Sequence, residues 1–203
     1  MNRRYDSSRR KQAAVETRRR ILQAALKLHW EGITEFEALA REAGCSLPTV
    51  RKYFPTKESL FHDCTRTFAE SLAMPDMVAL AAIADPGRRL QECVSELCRI
   101  HEAMFGYAWF SAHTRRDSPT LDGEMKAYEG LADAMAEIIA PVDAARKPVL
   151  RGLLDFLTWR ALRLAGGLSP EQARAELVTL TCPLILEQEA DLQTTKPEGK
   201  DRS

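Results

Sequence analysis

The sequence lacks the features of a membrane, secreted or metal-bound protein. It has no run of about 18 apolar residues that would span a membrane, and its N-terminus has no apolar signal-peptide segment. Its five cysteines are scattered, without a C-x-x-C pair or a histidine at zinc-ligand spacing. We therefore expect a cytoplasmic protein in a reducing compartment, with no metal and no cofactor.

Strand patterns and catalytic motifs are also missing. No alternating stretch of β-branched residues is long enough for a strand, and Pro follows a capping residue at Asp85, Ser118 and Ser169. We find no paired carboxylates, nucleophile with a base, or phosphate loop at catalytic spacing, so no enzyme is expected. The predicted fold is all-α with about nine helices. They span roughly residues 13–30, 35–42, 47–53, 57–73, 87–105, 107–115, 119–139, 148–165 and 170–188, and residues 77–84 could add a short extra turn.

The net charge of zero hides a strong asymmetry along the chain. Residues 1–66 contain 14 Lys and Arg against 8 Asp and Glu, whereas residues 67–203 contain 15 against 21. A basic N-terminal third is typical of a protein that binds a polyanion, although a solvated basic tail would give the same count. Most of the excess comes from residues near the N-terminus: Arg3, Arg4, Arg9, Arg10, Lys11, Arg18, Arg19 and Arg20.

A short amphipathic helix, a glycine and a second helix follow one another after residue 33. Thr34 and Glu37 have the spacing of a capping box. Four apolar residues then recur on one helical face, Phe36, Leu39, Ala40 and Ala43. Gly44 can take the left-handed backbone that ends a helix, and Ser46 can cap the next one.

The second short helix has a core side and a basic outer side. Val50 and Phe54 are four residues apart and are predicted to face the core. The residues predicted to face outward are Leu47, Thr49, Arg51, Lys52 and Tyr53. This pattern predicts a DNA-binding helix-turn-helix, although any antiparallel helical pair could share its bare outline.

Residues Thr17–Phe61 resemble the N-terminal domain of the TetR family of transcriptional regulators, a TetR/AcrR-like pattern. The matching positions are Ile21, Leu22, Ala24, Ala25, Gly32, Leu39, Ala40, Ala43, Gly44, Ser46, Thr49, Val50, Tyr53, Phe54, Lys57, Glu58 and Leu60. The resemblance implies that Thr49, Tyr53 and Lys57 contact phosphates and that Leu47, Pro48 and Lys52 lie near base edges. Thr34 is included in the expected DNA-contacting set.

Two departures from the family pattern affect DNA recognition. Arg51 stands where relatives usually have an aromatic residue, and the loop before Thr34 is about two residues shorter than usual. Arg51 could contact a guanine or only a phosphate, so the operator sequence cannot be deduced. The basic segment before Thr17 could enter a minor groove as an arm or remain a solvated tail.

The later part of the chain has two apolar stripes at helical spacing. The first contains Leu150, Leu154, Leu157, Ala161 and Leu164, and the second contains Ala173, Leu177, Leu180 and Leu184. By resemblance they form a homodimer interface, and an intramolecular core is the alternative for either stripe. Pro183 should kink or end the last helix.

Aromatic, methionine and histidine residues are frequent in the middle of the chain. The candidate ligand-binding residues are His101, Met104, Phe105, Trp109, Phe110, His113, Met125 and Tyr128. They could line an apolar cavity for a small-molecule effector, or simply form core. The resemblance implies such a pocket among the middle helices, for an apolar or amphipathic effector of unknown identity.

Together these patterns predict a ligand-responsive regulator that binds an inverted-repeat operator as a homodimer and is released by its effector. A repressor is expected. The alternatives are an effector-independent DNA-organising protein, a helical enzyme, and a redox or metal sensor that uses Cys93 and Cys98 or Cys45 and Cys64. The expected domains are a DNA-binding domain over 1–66, an effector and dimerisation domain over 67–192, and a disordered tail over 193–203.

Overall fold

The described chain is built from helices. The computed structural model describes residues 3–139 and 144–194, with side chains for 8–139 and 144–185. Within these ranges there is no strand, and the all-α prediction is confirmed. Helices α1 to α11 span Arg3–Trp30, Phe36–Glu42, Leu47–Tyr53, Lys57–Ser71, Met77–Ala81, Pro86–Ala103, Phe105–Thr114, Pro119–Ile139, Lys147–Leu153, Phe156–Leu164 and Pro170–Thr194. A short 3₁₀ helix at Arg115–Asp117 precedes α8.

The described residues contain eleven α-helices, two more than the nine predicted. The helix predicted over 148–165 is divided into α9 and α10, because Asp155 has an extended backbone and accepts a hydrogen bond from the Leu157 amide at 2.8 Å. The other addition is α5, which Asp76 caps through the amides of Val78 and Ala79. Both differences arise from local aspartate caps.

Three predicted helix starts have the expected capping chemistry. Asp85 accepts from the Arg88 amide at 2.6 Å, and Ser118 accepts from the Leu121 amide at 3.2 Å. Ser169 and Gln172 form a reciprocal capping box.

Helix α11 continues through Pro183 to Thr194, so Pro183 does not end the last helix. Thr179, whose carbonyl would have bonded the missing amide, is exposed and so within reach of water. The predicted tail falls partly on α11, and residues 195–203 lie outside the described residues.

Contacts divide the chain into two compact units. The first comprises residues up to Ala73 together with Met104–Lys126. In it α1 contacts α2, α4 and α7, and α2 contacts α3. Its main core consists of Ile21, Leu22, Ala24, Ala25, Leu28, Phe36, Leu39, Ala40, Ala43, Val50, Phe54, Leu60 and Cys64.

A second cluster in the first unit joins α4, α7 and the start of α8. It contains Phe61, Tyr107, Phe110 and Leu121, all buried. The α1 and α7 helices approach closely at Gly106, where a Cβ atom would lie 2.6 Å from the Trp30 ring. Only glycine fits there without displacing the indole.

The second unit comprises Met74–Ala103 and the residues from Ala127 onward. In it α11 packs on α6, α9 and α10, and α5 packs on α6. Large side chains that are fully buried there include Leu90, Leu97, Ile100, Met135, Ile139, Leu150, Leu154 and Trp159. The grouping assigns residues 67–73 and 104–126 to the first unit, and the predicted domain boundaries remain a prediction. None of the described helices is both long and apolar enough to cross a membrane.

Candidate nucleic-acid interface

The turn between α2 and α3 has the geometry that a helix-turn-helix requires. Gly44 has φ +62°, and the Cys45 amide donates to the Ala40 carbonyl at 3.0 Å. The Ser46 hydroxyl then accepts from the Thr49 amide at 3.3 Å and caps α3. The left-handed glycine ends one helix and the serine starts the next, as the sequence predicts.

The inner side of α3 fixes this helix against α1 and α2. Val50 and Phe54 are fully buried in the main core of the first unit, which confirms their predicted orientation. Leu47 and Tyr53 were predicted to face outward, but both are half-buried and pack against this core. Both side chains are large enough to cover the core edge while part of each stays in solvent.

The outer side of α3 is polar and basic. Pro48, Arg51 and Lys52 are exposed, and Thr49 is half-buried with its hydroxyl 2.8 Å from that of Ser46. The Lys52 ammonium lies 5.8 Å from the centre of the Tyr53 ring. This surface presents cations and hydroxyls together, which are the groups that bind phosphate oxygens and base edges.

Thr34 and Lys57 come together although they are far apart in sequence. The Lys57 ammonium donates to the Thr34 hydroxyl at 3.0 Å, so the loop before α2 meets the start of α4. The capping role predicted for Thr34 is wrong. Because α2 begins at Phe36, Glu35 occupies the cap position and makes no side-chain cap bond.

The start of α4 is itself a suitable anion site. Thr56 and Ser59 form a reciprocal capping box, with the Thr56 hydroxyl accepting from the Ser59 amide at 3.1 Å. The remaining first-turn amides and the positive end of the helix dipole favour a phosphate beside the exposed Lys57.

Glu58 follows Lys57 and joins α4 to the start of α8. Its carboxylate accepts from the Ser118 hydroxyl and the Thr120 amide, each at 2.7 Å. Burial raises the pKa of Glu58, but these hydrogen bonds outweigh it and hold the pKa below its ordinary value. The sequence prediction missed this role, since Ser118 was assigned only to its own helix.

Arg18 makes a second connection that the sequence did not reveal. Its guanidinium pairs with Asp63 of α4 and lies 5.3 Å from the centre of the Phe54 ring, at the end of α3. No local spacing relates Arg18 to either partner. Arg18 thus connects helix α1 to α4 and to the residue that ends α3.

His29 is a buried histidine in an aromatic environment within the first unit. It stacks on Phe110 at 5.2 Å and meets the edge of Phe61 at 5.3 Å, and its Nδ1 atom has no hydrogen-bond partner. Burial, together with the nearby Lys57 charge, lowers the pKa of His29 to about 4. The ring is therefore neutral at pH 7.

The candidate ligand-binding residues are distributed over both units. Met104, Phe105, Trp109, Phe110, His113 and Met125 belong to the first unit, and His101 and Tyr128 belong to the second. In the first unit, Met104 and Phe110 join the Phe61 cluster, while the Trp109 and His113 rings lie 3.9 Å apart. These positions do not by themselves identify a binding site.

His101 and Tyr128 form a buried polar pair. The Leu154 carbonyl lies 3.0 Å from His101 Nε2, so this nitrogen is the donor, and Nδ1 accepts from the Tyr128 hydroxyl. Burial lowers the pKa of His101 to about 4.

The second unit also has an open cleft of about 680 Å³ between α6, α10 and α11, with Cys98, Glu102, Trp159 and Arg174 in its walls. None of the candidate ligand-binding residues lines it.

The two apolar stripes are partly core and partly surface. Leu150, Leu154, Ala173 and Leu177 are buried within the second unit. Leu157, Leu164 and Leu180 are at least half exposed, Ala161 is exposed and Leu184 is half-buried. The exposed residues of the two stripes are the ones that a second chain could contact.

Three of the five cysteines lie in apolar surroundings. Cys64, Cys93 and Cys98 are buried, and burial raises the pKa of their thiols to about 12, 11 and 12, respectively. Thiols that stay protonated at pH 7 react slowly with oxidants. This environment does not favour the redox alternative at these three positions.

Comparison with protein families gives a match that includes α2 and α3. Residues 21–64 match the family model described as bacterial regulatory proteins, tetR family. Two uncharacterized HTH-type transcriptional regulators, from two strains of Mycobacterium tuberculosis, are each 27% identical over 191 residues, covering 88% of this chain and 89% of theirs. A crystal structure of a TetR transcriptional regulator from Rhodococcus sp. RHA1 aligns over 87% of this chain and 97% of its own, with 19% identity and a TM-score of 0.45.

Proposed function

We propose that this chain is a transcriptional regulator of the tetR family with its DNA-binding domain in residues 21–64, and that it represses transcription as a ligand-released homodimer. The observation that carries the proposal is the pair of helices α2 and α3. The turn between them has Gly44 at φ +62°, and α3 has a basic outer face. As a regulator of bacterial genes it would act in the cytoplasm. Its proposed operator is an inverted repeat, because a two-fold dimer places two recognition helices about 34 Å apart.

The proposed DNA contacts have two parts. Thr34, Thr49, Tyr53 and Lys57 would bind phosphates, a role supported by their hydroxyl and ammonium groups at the edge of α3 and the start of α4. The residues proposed near base edges are Leu47, Pro48, Arg51 and Lys52. Exposed Arg51 has the length and the planar donors for a guanine contact.

Salt dependence of DNA binding tests these contacts. A duplex selected from random DNA with the full chain serves as the probe, and fluorescence anisotropy measures its affinity at several salt concentrations. Lys57→Ala should weaken binding and lower the slope of log K against log salt by about 1. Lys126→Ala removes an equally exposed lysine of the first unit and should change neither quantity. A Lys57 variant with the wild-type slope would contradict the phosphate contact, and failure to select any duplex would contradict the regulator itself.

The proposed dimer forms through α10 and α11. In the single chain, the surface of Leu157, Leu164 and Leu180 is about half exposed. A second copy of the chain would bury this apolar surface, which is favourable. Light scattering should give a dimer for the wild type and a monomer for Leu164→Glu. Val78→Glu places the same charge on another exposed apolar site of the second unit and should remain dimeric. A dimeric Leu164→Glu variant would place the interface elsewhere.

The effector is proposed to bind in the second two-thirds of the chain. The cleft of about 680 Å³ in the second unit is within the range of small-molecule pockets. The candidate ligand-binding residues of the first unit, and His101 with Tyr128 of the second, are separate alternative proposals. An effector releases DNA only if it binds the DNA-free conformation more tightly. A metabolite library should therefore contain a compound that both raises the melting temperature and lowers operator affinity. A compound set that changes neither would favour an effector-independent DNA-binding protein.

A further inference from the structure

Helix α1 extends well beyond the domain that it helps to build. It runs for 28 residues from Arg3 to Trp30, whereas the family match begins only at Ile21. Its buried residues also begin at Ile21, and none of residues 8–20 is buried. The first half of α1 is therefore a helix that packs on no hydrophobic core. For this segment the sequence suggested a minor-groove arm or a solvated tail.

Arg18 marks where this extension leaves the domain. At this residue α1 passes the carboxyl end of α3, with its guanidinium over Phe54 and paired with Asp63. Because a helix rises about 1.5 Å per residue, residues 3–18 extend roughly 22 Å beyond this point. Phe54 directly follows Tyr53, one of the proposed phosphate contacts, in the sequence.

The charge of the extension is almost entirely positive. Residues 3–20 contain eight Arg and Lys against two Asp and Glu. Lys11 is seven residues, about two helical turns, before Arg18, so the two side chains leave the helix within about 20° of the same direction. Arg10 immediately precedes Lys11 in the sequence. Glu16 pairs with Arg19, away from this direction. The basic face therefore continues on the side of α1 that meets α3 and α4.

We propose that the first half of α1 is a phosphate-binding helix that lies on the DNA backbone beside the operator half-site. An α-helix is about 10–12 Å wide with its side chains, whereas the minor groove is about 6 Å wide, so the helix would lie across the backbone instead of entering that groove. The orientation of this helix on DNA rests on the proposed function. The helix would add a sequence-independent contact outside the operator.

The test uses a double variant of the full chain, Arg10→Ala and Lys11→Ala, which retains helix propensity because alanine is the best helix former. Anisotropy is measured with the selected operator alone, with the operator plus ten flanking base pairs on each side, and with a random-sequence duplex. The control variant, Arg88→Ala, Arg116→Ala and Lys126→Ala, removes three other exposed cations.

On the flanked and random duplexes, the double variant should lose about 2 from the slope of log K against log salt, whereas the control should lose none. On the trimmed operator the two variants should agree. A variant that keeps the charge, Arg10→Lys, should keep the wild-type slope.

An unchanged slope on the flanked duplex would overturn the proposal, as would a preference for A·T over G·C flanks, which would indicate minor-groove insertion instead. If no operator can be selected, the regulatory function fails separately, and the random-sequence duplex still decides whether this helix binds phosphates.

Discussion

At the residue scale, the helix-turn-helix depends on a few side chains with strict local requirements. Gly44 supplies a left-handed backbone, and Ser46 supplies the first hydrogen bond of α3. Val50 and Phe54 then anchor that helix in the core. The orientation of the basic face is therefore set by residues that do not belong to it.

Replacing Gly44 tests how much the turn depends on its backbone. A Cβ atom at Gly44 would meet nothing within 4 Å, so the cost of Gly44→Ala is backbone strain alone. We expect a loss of about 1 kcal/mol in the free energy of unfolding, measured with urea, and a smaller loss for Gly44→Asn, because asparagine tolerates this region better.

Gly123 provides the matched control, since it lies inside α8 with nothing within 4 Å of a Cβ position and with no positive φ. Gly123→Ala should stabilise the protein by about 0.5–1 kcal/mol. Equal effects at the two glycines would contradict the assigned role of Gly44.

At the scale of elements, the first unit is held together by polar bridges between helices distant in sequence. Glu58 caps α8 from the start of α4, and Arg18 joins α1 to α4 through Asp63. Both bridges lie next to groups proposed to contact DNA. A movement of α4 would therefore change the position of Lys57.

Glu58→Gln measures the strength of the α4 to α8 bridge. Glutamine retains the size but has one carbonyl oxygen for the two donors, so we expect a loss of about 1–2 kcal/mol in the free energy of unfolding at pH 7. Glu70→Gln, at an exposed position of the same helix, should change it by less than about 0.5 kcal/mol.

The pH dependence of this difference gives an independent check. The pKa of Glu58 is lower in the folded chain than its ordinary value of 4.5, so the carboxylate contributes fully above pH 4.5. This contribution is lost as the pH falls through the folded pKa. A difference between wild type and Glu58→Gln that stays constant down to pH 3 would contradict the carboxylate cap.

How far the sequence predicts this structure follows from the range of each interaction. The turn at Gly44, the Ser46 cap and the burial of Val50 are determined by neighbours within a few residues, and all were predicted. The Glu58 and Arg18 bridges span 60 and 45 residues and leave no local pattern. The apolar stripes were recognised as stripes, but their spacing could not show that Leu150 is covered by its own chain and Leu157 is not.

At the scale of the whole molecule, each unit contains one buried neutral histidine. His29 lies among aromatic rings in the first unit, and His101 bonds Tyr128 and Leu154 in the second. Burial lowers both pKa values from 6.5 to about 4. A fall in pH therefore destabilises both units over the same pH interval.

The free energy of unfolding should be highest above pH 6.5 and should fall as the pH drops from 6.5 towards 4. In that window the unfolded chain binds protons that the folded histidines do not take up. The slope should approach about 1.4 kcal/mol per pH unit for each histidine. Urea unfolding at pH 7.5, 6 and 5 measures it.

His29→Phe should remove one proton from this slope. A His29→Phe variant with the wild-type slope would mean that His29 is not held neutral by the fold.

The close approach of α1 and α7 at Gly106 has an optical consequence. The indole of Trp30 rests on that glycine while about half of its surface remains exposed, and the chain has only two other tryptophans. Any separation of α7 from α1 would open the second side of the ring to water and shift its fluorescence to longer wavelength. The first unit thus contains its own spectroscopic reporter, which can follow a DNA or ligand titration without an added label.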